Sequence, residues 1–397
     1  MFPQSCCLKK SNVKRWTTLF DAVVFSTDPA ATAAAIRHFW RMPMEQLSTE
    51  GLRASYEAAL RHSDPLTDRI STDQFSHRYP ENPGWAVGPF TRDESLTFRP
   101  QGQWEDPTRI GWTSSSVFNP SLIVEGDALH MFYRASPRKE STASRIGLAT
   151  YTAGNGWSDS SANPIVFPTT DDELLSCEDP KVYRTDDGYV LFYNGIWHAA
   201  GSAEAEEFPS PGYPITSLGC DIKVATSTDL VHWEKRGLAV PYEISRLWAK
   251  GAVIPRDLNG RAIRIGGEYL MYLSEGCGGR SFVGRSQDLV SWSFAEQPYL
   301  DLSALGGTLL EVSCAVTDHG DTGSIVLDFF YRDASGEFAA AQALYDIDAP
   351  FTQRALNRGG SLSWGGLVRY DGSILFAQGW DAPSGVREMY LYREALA

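Results

Sequence analysis

The chain has 397 residues, of which 43% are hydrophobic and 12% aromatic, enough to build a packed core. Its 35 basic and 49 acidic residues give a formal net charge of −14, which argues against a nucleic acid as partner. It contains no apolar run long enough for a transmembrane helix, and the first residues lack the apolar run of a signal peptide. These features predict a cytoplasmic protein with no membrane partner.

The first 85 residues have a helical pattern. Asp28-Pro29 can cap and start one helix, and residues 49–62 place apolar side chains on one face of a second. Prolines then mark a boundary. We therefore predict a helical N-terminal extension over residues 1–85, which packs on the rest of the chain or on a partner subunit in a homo-oligomer. One catalytic domain is expected over residues 86–397.

Beyond this boundary, one short phrase returns three times. Each copy is a short strand, a polar turn with Asp or Asn, and a Trp that can pack under the turn; the copies cover residues 146–157, 222–233 and 282–292. A repeat about every 60 to 75 residues indicates a recurring supersecondary unit. Short strands with Gly and Asp turns favour a β-propeller. At about 62 residues per blade, we predict an all-β, five-bladed β-propeller.

The acidic pair Glu178-Asp179 stands directly before Pro180, at the start of a strand-rich segment. Because proline restricts the preceding residue, we predict an extended conformation for Asp179. A carboxylate held at the mouth of a strand is a candidate proton donor to a glycosidic oxygen. The alternative is an Asx-type turn that opens a hairpin.

Six motifs follow one another along the chain: Asn119-Pro120, Tyr133-Arg134, Ile146 to Ala149, Glu178-Asp179-Pro180-Lys181, Ala343 to Pro350, and Ala377 to Asp381. In this order they resemble glycoside hydrolase family 130, whose members are five-bladed propellers that phosphorolyse or hydrolyse β-mannosidic linkages. The resemblance spans roughly residues 88–392. It implies an oligosaccharide substrate, and we expect no cofactor.

The resemblance also implies roles for single residues. Asp179 matches the general acid, and Asn119, Arg134 and Asp381 match positions that contact the sugar at the cleaved bond. Without the resemblance, Arg134 could form an ion pair between blades and Asp381 could be a turn residue. Glu178 could raise the pKa of Asp179, although neighbours in a strand point to opposite faces.

The departures from the family pattern bear on the attacking group. Phosphorylases of this family hold phosphate with several basic residues, and the candidates here are Lys181, Lys250 and Arg332. Glu275 and Glu311, however, fall where phosphate would bind, and either could deprotonate a water instead. The alternative role of Glu275 is a solvated loop charge, and that of Glu311 is a partly buried strand carboxylate. The sequence therefore predicts an inverting glycoside hydrolase, with a phosphorylase as the alternative if the three cations converge.

Two further functions stay open on the sequence. A furanosidase of the family 32 and 43 type would use three carboxylates, the first of which would have to come from Asp106. A non-catalytic carbohydrate-binding propeller would keep no facing acid and base. Aromatic candidates to stack on sugar rings are Trp112, Trp248, Trp364 and Trp380. The six cysteines show no CxxC spacing and no partnered histidines, so no metal site is expected.

Overall fold

The computed structural model describes residues 83–102, 111–137, 143–209, 218–317, 319, 323–361, 363–382 and 386–395, without the side chain of Glu275. The predicted N-terminal helices therefore lie outside the described residues, and the extension over residues 1–85 stays a prediction. Within the described ranges, no helix is long and apolar enough to cross a membrane.

Twenty strands and two short helices occur in the described ranges. The strands are β1 (Phe90–Phe98), β2 (Ser116–Glu125), β3 (Ala128–Ser136), β4 (Arg145–Thr152), β5 (Gly156–Asp159), β6 (Ser176–Arg184), β7 (Tyr189–His198), β8 (Leu218–Ser227), β9 (Glu234–Leu238), β10 (Ala249–Val253), β11 (Tyr269–Gly276), β12 (Phe282–Ser286), β13 (Ser293–Glu296), β14 (Thr308–Val316), β15 (Ser324–Arg332), β16 (Phe338–Asp346), β17 (Ala349–Arg358), β18 (Val368–Tyr370), β19 (Ser373–Gln378) and β20 (Met389–Glu394). The helices are α1 (Ala203–Glu207) and α2 (Tyr242–Ser245), and single 3₁₀ turns cover Asp171–Glu173 and Cys277–Gly279.

The strands form five four-stranded antiparallel sheets, so the predicted all-β, five-bladed propeller is confirmed. Blades one to four are β2–β5, β6–β9, β10–β13 and β14–β17, each in sequence order from its inner to its outer strand. Blade five has the order β18-β19-β20-β1. Its outer strand is therefore β1, which pairs with β20 from Phe90↔Glu394 to Phe98↔Met389 and closes the ring.

The hydrophobic core lies between the blades. Along β7, Leu191 and Tyr193 pack against blade one, whereas Val190 and Phe192 pack against blade three. The two sets alternate because successive side chains in a strand point to opposite faces. Both faces of a blade are buried, which explains why the strands are nearly continuous apolar runs.

The turns with a following Trp are built alike in blades two and three. Trp233 Nε1 donates to Leu230 O at 2.8 Å, and Trp292 Nε1 donates to Leu289 O at 3.0 Å. Leu230 and Leu289 both have a positive φ, 68° and 64°. The predicted packing of the Trp under its turn is thus found in blades two and three, whereas Trp157 Nε1 in blade one donates to Leu96 O at 2.9 Å.

Candidate active site

The inner strands of blades one and two carry the same backbone irregularity. Asn119 and Asp179 each precede a proline, have φ of 43° and 52°, and lie at a register shift in the strand pairing. The prediction that Asp179 is extended is therefore wrong. A left-handed residue costs about 1 to 3 kcal/mol and persists only where its surroundings fix it, as a β-bulge with strong side-chain contacts does here.

Two other blades place a left-handed residue at the corresponding end of the inner strand. In blade three it is Gly251, with φ of 64° and a register shift beside it. In blade five it is Trp364, with φ of 41°, four positions before β18 begins. We call Asn119, Asp179, Gly251 and Trp364 the left-handed ring. It gathers residues from four blades at one end of the propeller axis.

Two carboxylates and two cations meet at this ring. Asp179 Oδ1 accepts from Asn119 Nδ2 at 2.5 Å and from Arg134 Nη1 at 2.8 Å, while its Oδ2 accepts from Lys250 Nζ at 2.9 Å. Glu178 binds the same cations, with 2.7 Å to Arg134 Nη2 and 2.9 Å to Lys250 Nζ. The expectation that the two carboxylates point to opposite faces is wrong, because the bulge at Asp179 turns both toward one side.

The cations determine the charge state of Asp179. Burial by itself raises the pKa of this carboxyl, but Lys250, Arg134 and the hydrogen bond from Asn119 together hold the pKa below its ordinary value. Burial lowers the pKa of Lys250, yet Asp179 and Glu178 raise it well above its ordinary value. The expected increase in the pKa of Asp179 is therefore wrong for the free protein, which carries it as a carboxylate.

Lys181 and Glu311 form a second buried pair. Lys181 Nζ lies 3.4 Å from Glu311 Oε1 and donates to the backbone oxygen of Trp364. Both side chains are about 5% exposed. A Cβ built at Gly251 would lie 2.7 Å from Glu311 Cγ, so Glu311 packs directly against the left-handed ring. The structure thus brings Glu311, Lys181 and Lys250 to the same place as Asp179.

Aromatic rings cover one side of this cluster. Trp380 Nε1 donates to Asn119 Oδ1, and the Trp380 ring lies 5.8 Å from that of Trp364. The Arg134 guanidinium lies 4.5 Å from the ring of Phe118. Trp364 and Trp380 are both buried beside the site, and their predicted stacking on a sugar stays a prediction.

The other two predicted sugar-stacking tryptophans, Trp112 and Trp248, have different surroundings. Trp112 is 1% exposed and stacks on Tyr133 at 5.9 Å, so it is a core residue and the prediction that it stacks on a sugar is wrong. Trp248 directly precedes β10 and is buried in a small cluster with Cys220. It lies two positions before Lys250, close to the site along the chain.

Asp381 and Arg332 lie at the margins of the buried cluster. Asp381 follows Trp380, is half-buried and accepts a hydrogen bond from Tyr392 OH. It is therefore connected to the cluster through its neighbour. Arg332 is exposed at the end of β15, with its guanidinium 4.8 Å from the ring of Phe338. Its described contact is with this ring, so the three predicted cations do not form one cluster.

Two candidates cannot be placed. Asp106 lies in residues 103–110, outside the described residues, and the Glu275 side chain is likewise not described. Sequence reasoning also missed two serines that support the cluster. Ser144 Oγ accepts from Arg134 Nε at 2.7 Å, and Ser176 Oγ donates to Glu178 Oε2 at 3.2 Å.

A family model for glycoside hydrolase family 130, described as beta-1,4-mannooligosaccharide phosphorylase, matches residues 95–207. A 1,2-beta-oligomannan phosphorylase of Thermoanaerobacter sp. (strain X514) is 24% identical over 40% of this chain and 48% of its own length. A beta-1,2-mannobiose phosphorylase of the same strain is 30% identical over 21% of this chain and 32% of its own length. The chain thus spans half or less of the curated relatives that it matches.

Solved structures share the fold. A glycosyl hydrolase from Bacteroides ovatus has a TM-score of 0.60 and 21% identity, covering 81% of this chain and 99% of that chain. A second solved structure has a TM-score of 0.59 and 22% identity to this chain. It is described by the statement that the GH130 family of mannoside phosphorylases contains glycoside hydrolases that target β-1,2 mannosidic linkages in Candida mannan. It covers 79% of this chain and 96% of that chain. The family match, the shared fold and the order of the motifs confirm the predicted resemblance: the chain is a five-bladed β-propeller like those of glycoside hydrolase family 130.

Proposed function

We propose that this protein is a glycoside hydrolase that cleaves β-mannosidic linkages with inversion of the anomeric carbon, with Asp179 as the general acid. The observation that carries the proposal is the charge balance of the buried cluster. Three cations, Arg134, Lys181 and Lys250, face three carboxylates, Glu178, Asp179 and Glu311. The mannoside specificity rests on the family match and on the names of the curated relatives.

This balance favours water over phosphate as the attacking group. Arg134 and Lys250 are each engaged by both Glu178 and Asp179, and Lys181 lies beside Glu311. A phosphate dianion needs several charge-assisted donors. To bind here it would have to displace carboxylates from these pairs and remain close to them. A neutral water or sugar hydroxyl has no such penalty.

The charge state of Asp179 defines its task. Because the free carboxylate is ionised, it can donate only a proton that it gains when substrate binds. A sugar hydroxyl between Asp179 and the glycosidic oxygen would supply this route. Asp179, protonated from solvent as substrate binds, gives its proton to the hydroxyl, the hydroxyl gives its own proton to the leaving oxygen, and Asp179 returns to the carboxylate. A sugar that displaces Lys250, which is 17% exposed at its side chain, would also raise the pKa of Asp179.

Glu311 is the candidate base on the opposite side. It is buried, borders the left-handed ring at Gly251 and neighbours one cation, Lys181. An inverting enzyme needs its two carboxyl groups roughly 6.5 to 9.5 Å apart, so that a water fits between the base and the sugar. We expect this separation between Asp179 and Glu311, with Glu275 as the alternative base.

Phosphorolysis is the second candidate, since both curated relatives are named phosphorylases. The distinguishing experiment incubates β-1,2- and β-1,4-mannobiose with the purified protein, with and without inorganic phosphate, and follows the first-formed sugar by proton NMR. The proposal expects free mannose of inverted configuration in both conditions. A mannose 1-phosphate formed only with phosphate would establish phosphorolysis.

The same assay, extended to aryl glycosides, separates the remaining alternatives. Turnover of aryl furanosides in preference to aryl mannosides would indicate a furanosidase. Binding of mannose without turnover of any glycoside, in either condition, would indicate a carbohydrate-binding propeller. A retained anomer would contradict the inverting mechanism.

A further inference from the structure

One arginine occupies the place where the inner strands meet. Arg256 follows β10 of blade three and is 1% exposed. Its Nη2 donates to Leu122 O at 2.7 Å and to Leu367 O at 3.2 Å, while its Nη1 donates to Val182 O at 3.3 Å and to Gly365 O at 3.2 Å. These carbonyls belong to blades one, two and five.

The accepting carbonyls are related to the left-handed ring by position. Leu122, Val182 and Leu367 each stand three positions after a member of this ring, in blades one, two and five respectively. The guanidinium therefore binds the equivalent point of three inner-strand segments, three positions after each left-handed residue. One planar group thus contacts all three segments.

The backbone of Arg256 is fixed to the fourth blade. Its N–H donates to Ala315 O at 2.9 Å, and its carbonyl accepts from Thr317 N at 3.1 Å. A Cβ built at Gly366 would lie 2.5 Å from Arg256 Cζ, so this position in blade five leaves room for the guanidinium only as a glycine. Arg256 is therefore in contact with blades one, two, four and five and belongs to blade three.

Burying the charge of Arg256 costs free energy, which makes a purely structural role unfavourable. Among the described residues it forms no salt bridge, and its Nε has no hydrogen-bond partner. A buried charge held by carbonyl dipoles and one aromatic ring, that of Tyr183 at 5.9 Å, is unfavourable compared with an apolar side chain of similar size. What arginine offers is several donors in one rigid plane.

We propose that Arg256 is a positioning residue that holds the bulges of the left-handed ring, and with them Asn119 and Asp179, in the geometry required for catalysis. The inference rests on the proposed function of this site. Displacement of a catalytic group by about 1 Å can cost on the order of 10²-fold in rate. A lysine at position 256 would keep the charge but lose the planar fork, so the three strands would no longer share one anchor.

The test is Arg256→Lys, with Arg184→Lys as the matched control. Arg184 also donates to a carbonyl of blade one, Val124 O at 3.0 Å, but from the far end of β6. For Arg256→Lys we expect kcat on β-mannobiose to fall about 10- to 100-fold with KM changed less than about threefold. The control should lose some thermal stability and keep kcat. Equal kcat per folded molecule in both variants would overturn the proposal.

A second variant covers failure of the first to fold. Gly366→Ala keeps the charge of Arg256 but pushes its guanidinium away from the carbonyls. It should reproduce the fall in kcat at temperatures below its melting point. If both variants yield no folded protein, or if Gly366→Ala keeps full kcat, Arg256 serves the fold alone and the proposal is wrong.

A crystal structure of Arg256→Lys gives a readout that does not depend on the reaction. The proposal expects the contacts of Asp179 with Arg134 and Lys250 to lengthen and the bulges to shift, whereas unchanged contacts would overturn it. If the wild-type protein turns over no mannoside, the proposed function fails, but this structural comparison still decides whether Arg256 positions the ring.

Discussion

Replacement of Asp179 with asparagine removes the proposed general acid with almost no change in shape. The variant loses one of the two anions that engage Arg134 and Lys250, whereas Glu178 retains its contacts with both cations at 2.7 and 2.9 Å. The new amide nitrogen would face either a cation or the donor amide of Asn119, so at least one of the former hydrogen bonds is lost.

The two costs differ in size. A buried cation left without any partner costs about 3 to 5 kcal/mol, but both cations keep Glu178, so we expect a loss of only about 1 to 3 kcal/mol in unfolding free energy. Loss of general acid help lowers the rate about 10²- to 10⁴-fold, which corresponds to about 3 to 5 kcal/mol of activation free energy. The loss in activation free energy should therefore exceed the loss in unfolding free energy.

The assay compares β-mannobiose with an aryl β-mannoside whose leaving group needs no protonation. The rate on the disaccharide should fall by the full factor, and the rate on the activated aryl mannoside should fall much less. Asp328→Asn is the control, because Asp328 is a fully buried aspartate of blade four that accepts from Gln342 Nε2 at 2.9 Å, outside the cluster. Near wild-type turnover of the disaccharide by Asp179→Asn, or equal losses on both substrates, would refute the assignment.

Three further outcomes are expected. Lys250→Met should raise the pKa of Asp179, since this ammonium opposes the effect of burial, and so move the basic limb of the kcat profile to higher pH; an unmoved limb would count against Asp179 as the acid. Glu311→Gln should slow hydrolysis about 10²- to 10⁴-fold while mannose binding, followed by tryptophan fluorescence, persists; retained hydrolysis would exclude Glu311 as the base. Burial raises the pKa of Glu173, but the stronger effect of the two neighbouring lysines lowers this pKa, so that it falls from 4.5 to about 2. Its ionised form therefore stabilises the fold above pH 4.5 by about 3 kcal/mol, and this contribution is lost as the pH falls toward 2. Urea unfolding between pH 7 and 3 should show the stability of wild type approaching that of Glu173→Gln, and parallel curves would contradict this.

The blade pattern was predictable because its signals are local. In blade two, Ser227 Oγ accepts from Leu230 N at 3.0 Å, and Asp229 Oδ1 accepts from His232 N at 2.8 Å. These side chains define the turn within a few residues, so the same short phrase reports the same structure wherever it occurs. The spacing of these repeats, about 62 residues per blade over the length of the segment, then predicts the number of blades.

The conformation of the site was not predictable in the same way. Local preference for a residue before proline is extended, yet Asp179 is left-handed because contacts from Asn119 and Arg134, on another blade, fix it there. Arg256 gave no signal at all in the sequence, since its partners are backbone carbonyls distant along the chain and carry no residue identity. The sequence predicted only part of the charge balance. It placed Glu311 near the site, but it did not predict that Glu311 pairs with Lys181.

The pairing of β1 with β20 has a consequence for synthesis of the chain. Phe98 finds its partner Met389 only after residues 99–389 have been synthesised. At roughly 5 to 20 residues per second, β1 waits on the order of 15 to 60 s as an unpaired strand, while blades one to four can each assemble from contiguous sequence. During that interval, its hydrogen-bonding edge and the apolar side chains of Phe90, Leu96 and Phe98 are open to other nascent chains. The yield of folded protein should therefore depend more on substitutions in β1 than on equally buried substitutions in the outer strand of any other blade.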